Sequence, residues 1–272
     1  MAGRQLTSRV RPWASFWGPL GRLAPGPFAT VLFWATLAEL TARQKLGRAL
    51  RRPRRVRLLA NGVLVAFALA DLGELHGLRE VFVQHDYALD LPRDPRVILD
   101  LGGNIGAAAV YFATRWPDAA IVVLEPDPSA FERLARNVEP FTRVQPLQLA
   151  AAAQGGEVSL YRSDWTLTNS LIHDPASETV QVTAVSLDWL VKGPCGGAVD
   201  LVKLDIEGSE YELMRAYEGR GRILALVGEL HEAAMGASVD EFASLLPDHQ
   251  VELERLPNGE HSFRAWLGNA AG

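Results

Sequence analysis

The run Val97-Ile98-Leu99-Asp100-Leu101-Gly102-Gly103-Asn104-Ile105-Gly106 constrains this chain more than any other feature. Apolar residues around a single acid suit a strand covered on both faces, and the glycines break it into a turn that opens a helix from Ala107 to Thr114. Strand, glycine turn and helix in that order form the first half of a parallel βαβ unit, and the rhythm continues downstream. Further core strands are expected at Ala120–Leu124, Val144–Leu149, Leu201–Leu204 and Ile223–Leu230. Two alternating segments, Glu157–Tyr161 and Thr179–Val185, read as an antiparallel insertion, and Gln250–Leu256 with Ser262–Leu267 read as a hairpin through Asn258-Gly259. The pattern predicts an α/β fold with a Rossmann-like, mostly parallel sheet and an antiparallel C-terminal hairpin.

Glycine suits a place where backbone passes close to a ligand, so the turn after Asp100 is expected to make room for something bulky. Glu125, at the end of the next strand, is placed to accept both hydroxyls of a ribose. A dinucleotide fingerprint anchored on Gly102 would need glycines at positions 104 and 107, where the chain has Asn104 and Ala107. A carboxylate at Asp100 would also repel a pyrophosphate, whereas it suits the cationic end of S-adenosylmethionine. Spacing and charge therefore favour the sulfonium cofactor over a nicotinamide, against the alternative of a tight turn with no ligand.

The same run resembles the opening motif of the FkbM-type family of S-adenosylmethionine methyltransferases. Four more pieces resemble that family in its order: Leu124-Glu125-Pro126 with Phe131, Leu134 and Asn137-Val138; Gly156 to Tyr161; Ser186-Leu187-Asp188; and Val202-Lys203-Leu204-Asp205-Ile206-Glu207-Gly208-Ser209-Glu210. Together they cover about Asp71 to His231. The resemblance implies a class I methyltransferase sheet that holds S-adenosylmethionine through Asp100, Gly102, Gly103, Asn104, Gly106, Glu125 and Pro126. Gly103 stands where alanine is more usual in the family, a change that reads as harmless. Ala150 to Ala153 carry no polar side chain, which leaves adenine recognition to backbone groups around Ala151 or to Gln154.

Ligands of open parallel sheets sit beyond the carboxyl ends of the strands, which places Asp205 and Glu207 beside the transferred methyl group. Two residues apart, they share a face if the strand continues, and close carboxylates suit a base. The competing reading has Asp205 capping a helix that starts near Ser209, with Glu207 and Glu210 at its positive end. His231, after Glu229 at the end of the next strand, is the third candidate catalytic group. No metal is assigned, although Asp205 and His231 offer donors of the kind a hard cation takes. His173, with Asn169 and Ser170, is a weaker candidate for contacting the acceptor, and Trp165 and Trp189 read as packing residues. The resemblance implies an acceptor hydroxyl on a small molecule, natural product or glycan. A methyltransferase-like scaffold without turnover is the alternative.

Before this region the composition shifts. Residues 1–57 hold 12 Lys or Arg against one acid, Glu39, leaving 15 basic and 31 acidic residues for the remainder. The chain divides into a basic N-terminal arm and helix (1–54), a cap segment of two strands and a helix (55–95), and the cofactor-binding domain (96–272). Trp13, Phe16, Trp17 and Leu20 beside Arg9, Arg11 and Arg22 resemble a segment that touches a membrane surface, although Pro12 and Gly18 weaken the helix this needs. Nucleic acid is not an expected partner, since no reading module follows the basic run. A single cysteine, Cys195, excludes an intrachain disulfide and a Cys-rich zinc site, and fits a reducing cytoplasm.

Overall fold

The computed structural model describes residues 14–45, 52–162 and 178–268, and the chain forms two compact units, Met1–His85 and Asp86–Gly272. The segment expected as a cap, 55–95, spans this division.

In the first unit, helix α1 (Pro27–Lys45) precedes a hairpin of β1 (Arg54–Ala60) and β2 (Val63–Leu69), then helix α2 (Leu72–Arg79). Alternation fixes the hairpin: Val56, Leu58 and Ala60 are buried while Arg55, Arg57 and Leu59 face outward. Ala60 pairs with Val63 across Asn61-Gly62, whose φ angles of 48° and 80° match the two-residue turn that such twisted strands need. Asp71 caps α2 by accepting the amide of Glu74 at 2.9 Å, and Glu74 reciprocates at the amide of Ala70, 2.6 Å away. Of the segment read as membrane-facing, Arg9, Arg11, Pro12 and Trp13 lie outside the described residues. Trp17 and Leu20 are 4% and 0% exposed, whereas Phe16 stays 37% exposed. Glu39 bridges Arg43 and Arg54 at 3.2 and 2.9 Å, which ties α1 to the hairpin. No helix among the described residues is long and apolar enough to cross a membrane.

The second unit is built on a seven-stranded sheet. In chain order its strands are β3 (Val97–Leu101), β4 (Ala120–Leu124), β5 (Val144–Leu147), β9 (Leu201–Leu204), β10 (Ala225–Leu230), β11 (His249–Arg255) and β12 (His261–Leu267). Their spatial order is β11-β12-β10-β9-β3-β4-β5, and only β12 runs antiparallel to its neighbours β10 and β11. The expected mostly parallel sheet with a C-terminal hairpin is therefore present, and three of its strands have the expected bounds. The third ends at Leu147, two residues early, where the chain turns and re-pairs as β6 (Ala150–Ala151) in a second sheet with β7 (Gly156–Arg162) and β8 (Glu178–Val185). Trp165, Asn169, Ser170 and His173 lie outside the described residues. Trp189, expected to pack, is 49% exposed, since its helix turns Leu187 and Leu190 inward instead.

The chain winds outward through β3, β4 and β5, then returns to the other side of β3 for β9 and β10. That reversal opens a crevice over the carboxyl ends of β3 and β9, where open α/β sheets bind ligands. The glycine turn between β3 and helix α3 (Ala107–Arg115) forms one wall. The crowding that demands glycine there comes from the chain itself. A Cβ on Gly102 would lie 1.8 Å from the Asp205 carbonyl oxygen, and one on Gly103 would lie 2.3 Å from Val123 Cγ2 and 2.8 Å from Leu134 Cδ1. Replacement of the usual alanine by Gly103 is thus not neutral, because β4 and helix α4 (Pro128–Val138) close on the turn too tightly for a methyl group. Gly103→Ala is expected to destabilise the protein by about 1–3 kcal/mol through overpacking. Val123→Ala removes the nearer methyl, so in denaturant melts the double variant should lose less than the two single losses added; strict additivity would refute the clash.

Candidate active site

Asp100, one residue before the end of β3, is fully inaccessible to solvent. Neither carboxylate oxygen has a hydrogen-bond partner among the described residues, and Lys203 Nζ stands 3.5 Å from Oδ1. Burial raises the carboxyl group above its ordinary pKa, and Lys203 only partly offsets this. Beyond it the chain turns through Gly102, Asn104 and Gly106, all at positive φ, and the Gly103 amide donates to the Leu124 carbonyl at 2.7 Å. Asn137 on α4 donates to the Ile105 carbonyl at 2.9 Å, which fixes the far side of the turn.

Glu125 follows β4 directly and faces this turn. One of its oxygens accepts the Asn104 amide and the other the Asp127 amide, both at 2.8 Å. Burial pushes its pKa up to about 7 against those two donors. Asp100, Gly102, Gly103, Asn104, Gly106 and Glu125 are thereby gathered at one end of β3 and β4, with Pro126 next in the chain. Ala151, on β6, has its methyl group in the domain core and offers a ligand no polar side chain.

On the other wall, β9 stops at Leu204. Asp205 and Glu207 therefore do not share a strand face, and Glu207 adopts a left-handed backbone with φ of 59°. They converge all the same, because the loop folds both carboxylates toward His231 at the end of β10. The Nε2 atom of His231 lies 3.4 Å from Glu207 Oε2, 3.8 Å from Asp205 Oδ1 and 3.8 Å from Glu260 Oε2. Its Nδ1 is 2.8 Å from Oε1 of the fully buried Glu210. Asp205 caps no helix: Ser209 is the N-cap of helix α5 (Glu210–Ala216), and Asp205 Oδ2 instead accepts from Tyr87 at 2.8 Å and faces Lys203 at 3.4 Å.

Electrostatics follow from this crowding. Burial raises the Glu207 carboxyl to about 8, with His231 opposing and the neighbouring carboxylates reinforcing. For His231 burial acts downward, yet the hydrogen bond to Glu210 and the surrounding carboxylates raise it to about 10. Burial would lift Asp205, but Lys203 first and then His231 and Tyr87 hold it below the ordinary carboxylate range.

Sequence reasoning singled out neither Lys203 nor Tyr87. A lysine in the otherwise apolar Leu201-Val202-Lys203-Leu204 strand was a usable signal, since lysine is seldom buried without partners. Tyr87 carried none. Its segment is held by Arg264 of β12, which donates to the carbonyls of Ala88 at 3.1 Å and Asp86 at 3.4 Å.

A model of the FkbM methyltransferase domain matches residues 100–252, more than half of the chain. Methyltransferase 1 of Beauveria bassiana is 29% identical over 163 residues, which are 52% of this chain and 66% of that protein. The 2-O-methyltransferase NoeI of Sinorhizobium fredii is 28% identical over 139 residues, 44% of this chain and 56% of that one. The chain thus spans just under two thirds of the first relative and little more than half of the second. Among solved structures, methyltransferase FkbM from Methylobacillus flagellatus aligns with a TM-score of 0.49 at 14% identity, over 96% of this chain and 60% of that one. The matched stretch begins at Asp100 itself and takes in both walls of the crevice, and the chain belongs to the FkbM methyltransferase family.

Proposed function

We propose that this protein transfers the methyl group of S-adenosylmethionine to a hydroxyl of a small molecule, natural product or glycan. One observation carries the cofactor assignment: Asp100, fully buried at the mouth of the glycine turn, keeps both oxygens without a hydrogen-bond partner among the described residues. A buried carboxylate whose countercharge, Lys203, is shared with Asp205 gains from a further donor, and the ammonium end of S-adenosylmethionine supplies donors of the right charge. Glu125, across the turn, has lone pairs beyond the two its backbone donors take, which suits a ribose diol. Asp100, Gly102, Gly103, Asn104, Gly106, Glu125 and Pro126 would hold the cofactor, with backbone around Ala151 beside the adenine. When bound, the cofactor supplies an electrophilic methyl on sulfur for in-line displacement.

The chain's own residues meet the other two demands, positioning and proton removal. Tyr87 and Lys203 fix Asp205, while Glu207 and His231 stand beside it at the same strand ends. An acceptor hydroxyl seated here would meet carboxylate oxygens able to take its proton. Hydroxyl rather than nitrogen as acceptor is supported by the name of the relative from Sinorhizobium fredii, a 2-O-methyltransferase. Supplying labelled S-adenosylmethionine with polyols, glycosides and their amino analogues tests this. Label on oxygen is expected, and label on nitrogen alone would overturn it.

In calorimetric titration the protein should bind one S-adenosylmethionine per chain, and Asp100→Ala should weaken binding about 10- to 100-fold, the loss of a charged hydrogen bond. The pH profile follows from Glu125. Its pKa is raised from 4.5 to about 7, so the folded apo-protein holds this proton more tightly than the unfolded chain does. The stability it contributes is present below pH 4.5 and is lost as pH climbs through about 7. Ribose hydroxyls need the carboxylate, so cofactor affinity should rise across the same window. Glu125→Gln should flatten the profile, and an equally steep rise in that variant would remove Glu125 from the ribose site.

A further inference from the structure

We propose that Asp205, Glu207 and His231 bind a divalent cation, with Glu210 as the carboxylate that orients the histidine. Ligand atoms of the three residues lie within 4.8 Å of one another, and a second set, Glu229, His231 and Glu260, shares the same imidazole.

The orientation of His231 is the first argument. Its Nδ1 is held at 2.8 Å by Glu210 Oε1, and that oxygen is fixed in turn by the amides of Gly208 at 3.0 Å and Ile206 at 3.2 Å. A histidine whose one nitrogen is tied to a buried carboxylate has its other nitrogen aimed, as metal-ligating histidines do, and a bound cation would take the place of the Nε2 proton.

What Nε2 is aimed at is the second, independent argument. His231 is 5% exposed, yet Nε2 makes no hydrogen bond among the described residues and points between three carboxylate oxygens 3.4, 3.8 and 3.8 Å away. Donors about 2.1–2.4 Å from a common octahedral cation are about 3.0–3.4 Å from each other. The 3.4 Å pair therefore has the spacing of neighbouring ligands around an ion, and the two 3.8 Å pairs would need to close by about half an ångström. All three are longer than a good hydrogen bond and too short for an intervening water.

Asp205 is divided to match. Its Oδ2 is engaged by Tyr87 and Lys203, which leaves Oδ1 toward the cluster. Two carboxylates with one imidazole suit Mg²⁺ or Mn²⁺, with the remaining positions open to water or an acceptor oxygen. Holding an acceptor oxygen is a role that rests on the methyl-transfer reading above, whereas binding of the ion does not.

The test is titration of chelator-treated full-length protein with Mn²⁺, followed by loss of the free-ion electron paramagnetic resonance signal, in parallel with S-adenosylmethionine calorimetry. One Mn²⁺ per chain, displaced by Mg²⁺, is expected. Glu207→Gln, at a partly exposed side chain that leaves the core intact, should abolish or weaken Mn²⁺ binding at least tenfold, and Glu210→Gln should weaken it about 10- to 100-fold. Each variant's thermal melt verifies its fold. Absence of a one-site signal in the wild type, or equal binding by Glu207→Gln, overturns the cation site while S-adenosylmethionine binding stands. Mn²⁺ binding without S-adenosylmethionine binding supports the site and sinks the methyl-transfer role instead.

Discussion

The ammonium of Lys203 holds this domain's functional end together. It is buried in a strand between two carboxylates, Asp100 at 3.5 Å and Asp205 at 3.4 Å, and it donates to the carbonyls of Leu101 at 3.1 Å and Gly102 at 2.6 Å. Desolvating an ammonium costs several kcal/mol unless its partners are in place. Here the partners belong to both walls of the crevice, so the charge is satisfied only when β3 and β9 stand in register. Burial lowers the lysine's affinity for its proton, but Asp205 and Asp100 outweigh that effect. The glycine turn and the loop after β9 are therefore not independent features, since a shift in either would strand a charge.

Much of this arrangement was legible in the sequence because parallel strands are buried on both faces and read as short apolar runs bounded by turns. Val97–Leu101, Ala120–Leu124 and Leu201–Leu204 fall where that reasoning puts them. The placement of Asp100 and Glu125 was equally legible, as both sit at strand ends fixed by the same rhythm. The glycines were a different matter. Their positions were read correctly, but the demand on Gly102 and Gly103 comes from the Asp205 carbonyl, Val123 and Leu134, which are neighbours only in space. Convergence of Asp205 and Glu207 was expected from strand alternation and arises instead from a loop with a left-handed residue. Tyr87 and Glu260 reach the site from distant parts of the chain, and no local pattern encodes such meetings.

The first unit divides the aromatic residues of its basic stretch between core and surface. Trp17 and Leu20 are buried, while Phe16 stays exposed, with the Arg79 guanidinium 3.9 Å above its ring. Apolar side chains among basic ones are also what a small unit needs to build a core of its own while keeping its surface charged.

The contacts of Tyr87 carry a consequence for biosynthesis. Tyr87 meets Asp205, 118 residues later, and the carbonyls on either side of it are held by Arg264, 176 and 178 residues from them. A chain made from its N-terminus emerges with this tyrosine long before either partner exists. The first three parallel strands can pair as they leave the ribosome, but the surroundings of Tyr87 cannot be completed until the last hairpin has been released. Order of synthesis thus separates the parallel scaffold from this end of the domain in time, and a nascent chain would carry the parallel strands with the candidate site unfinished.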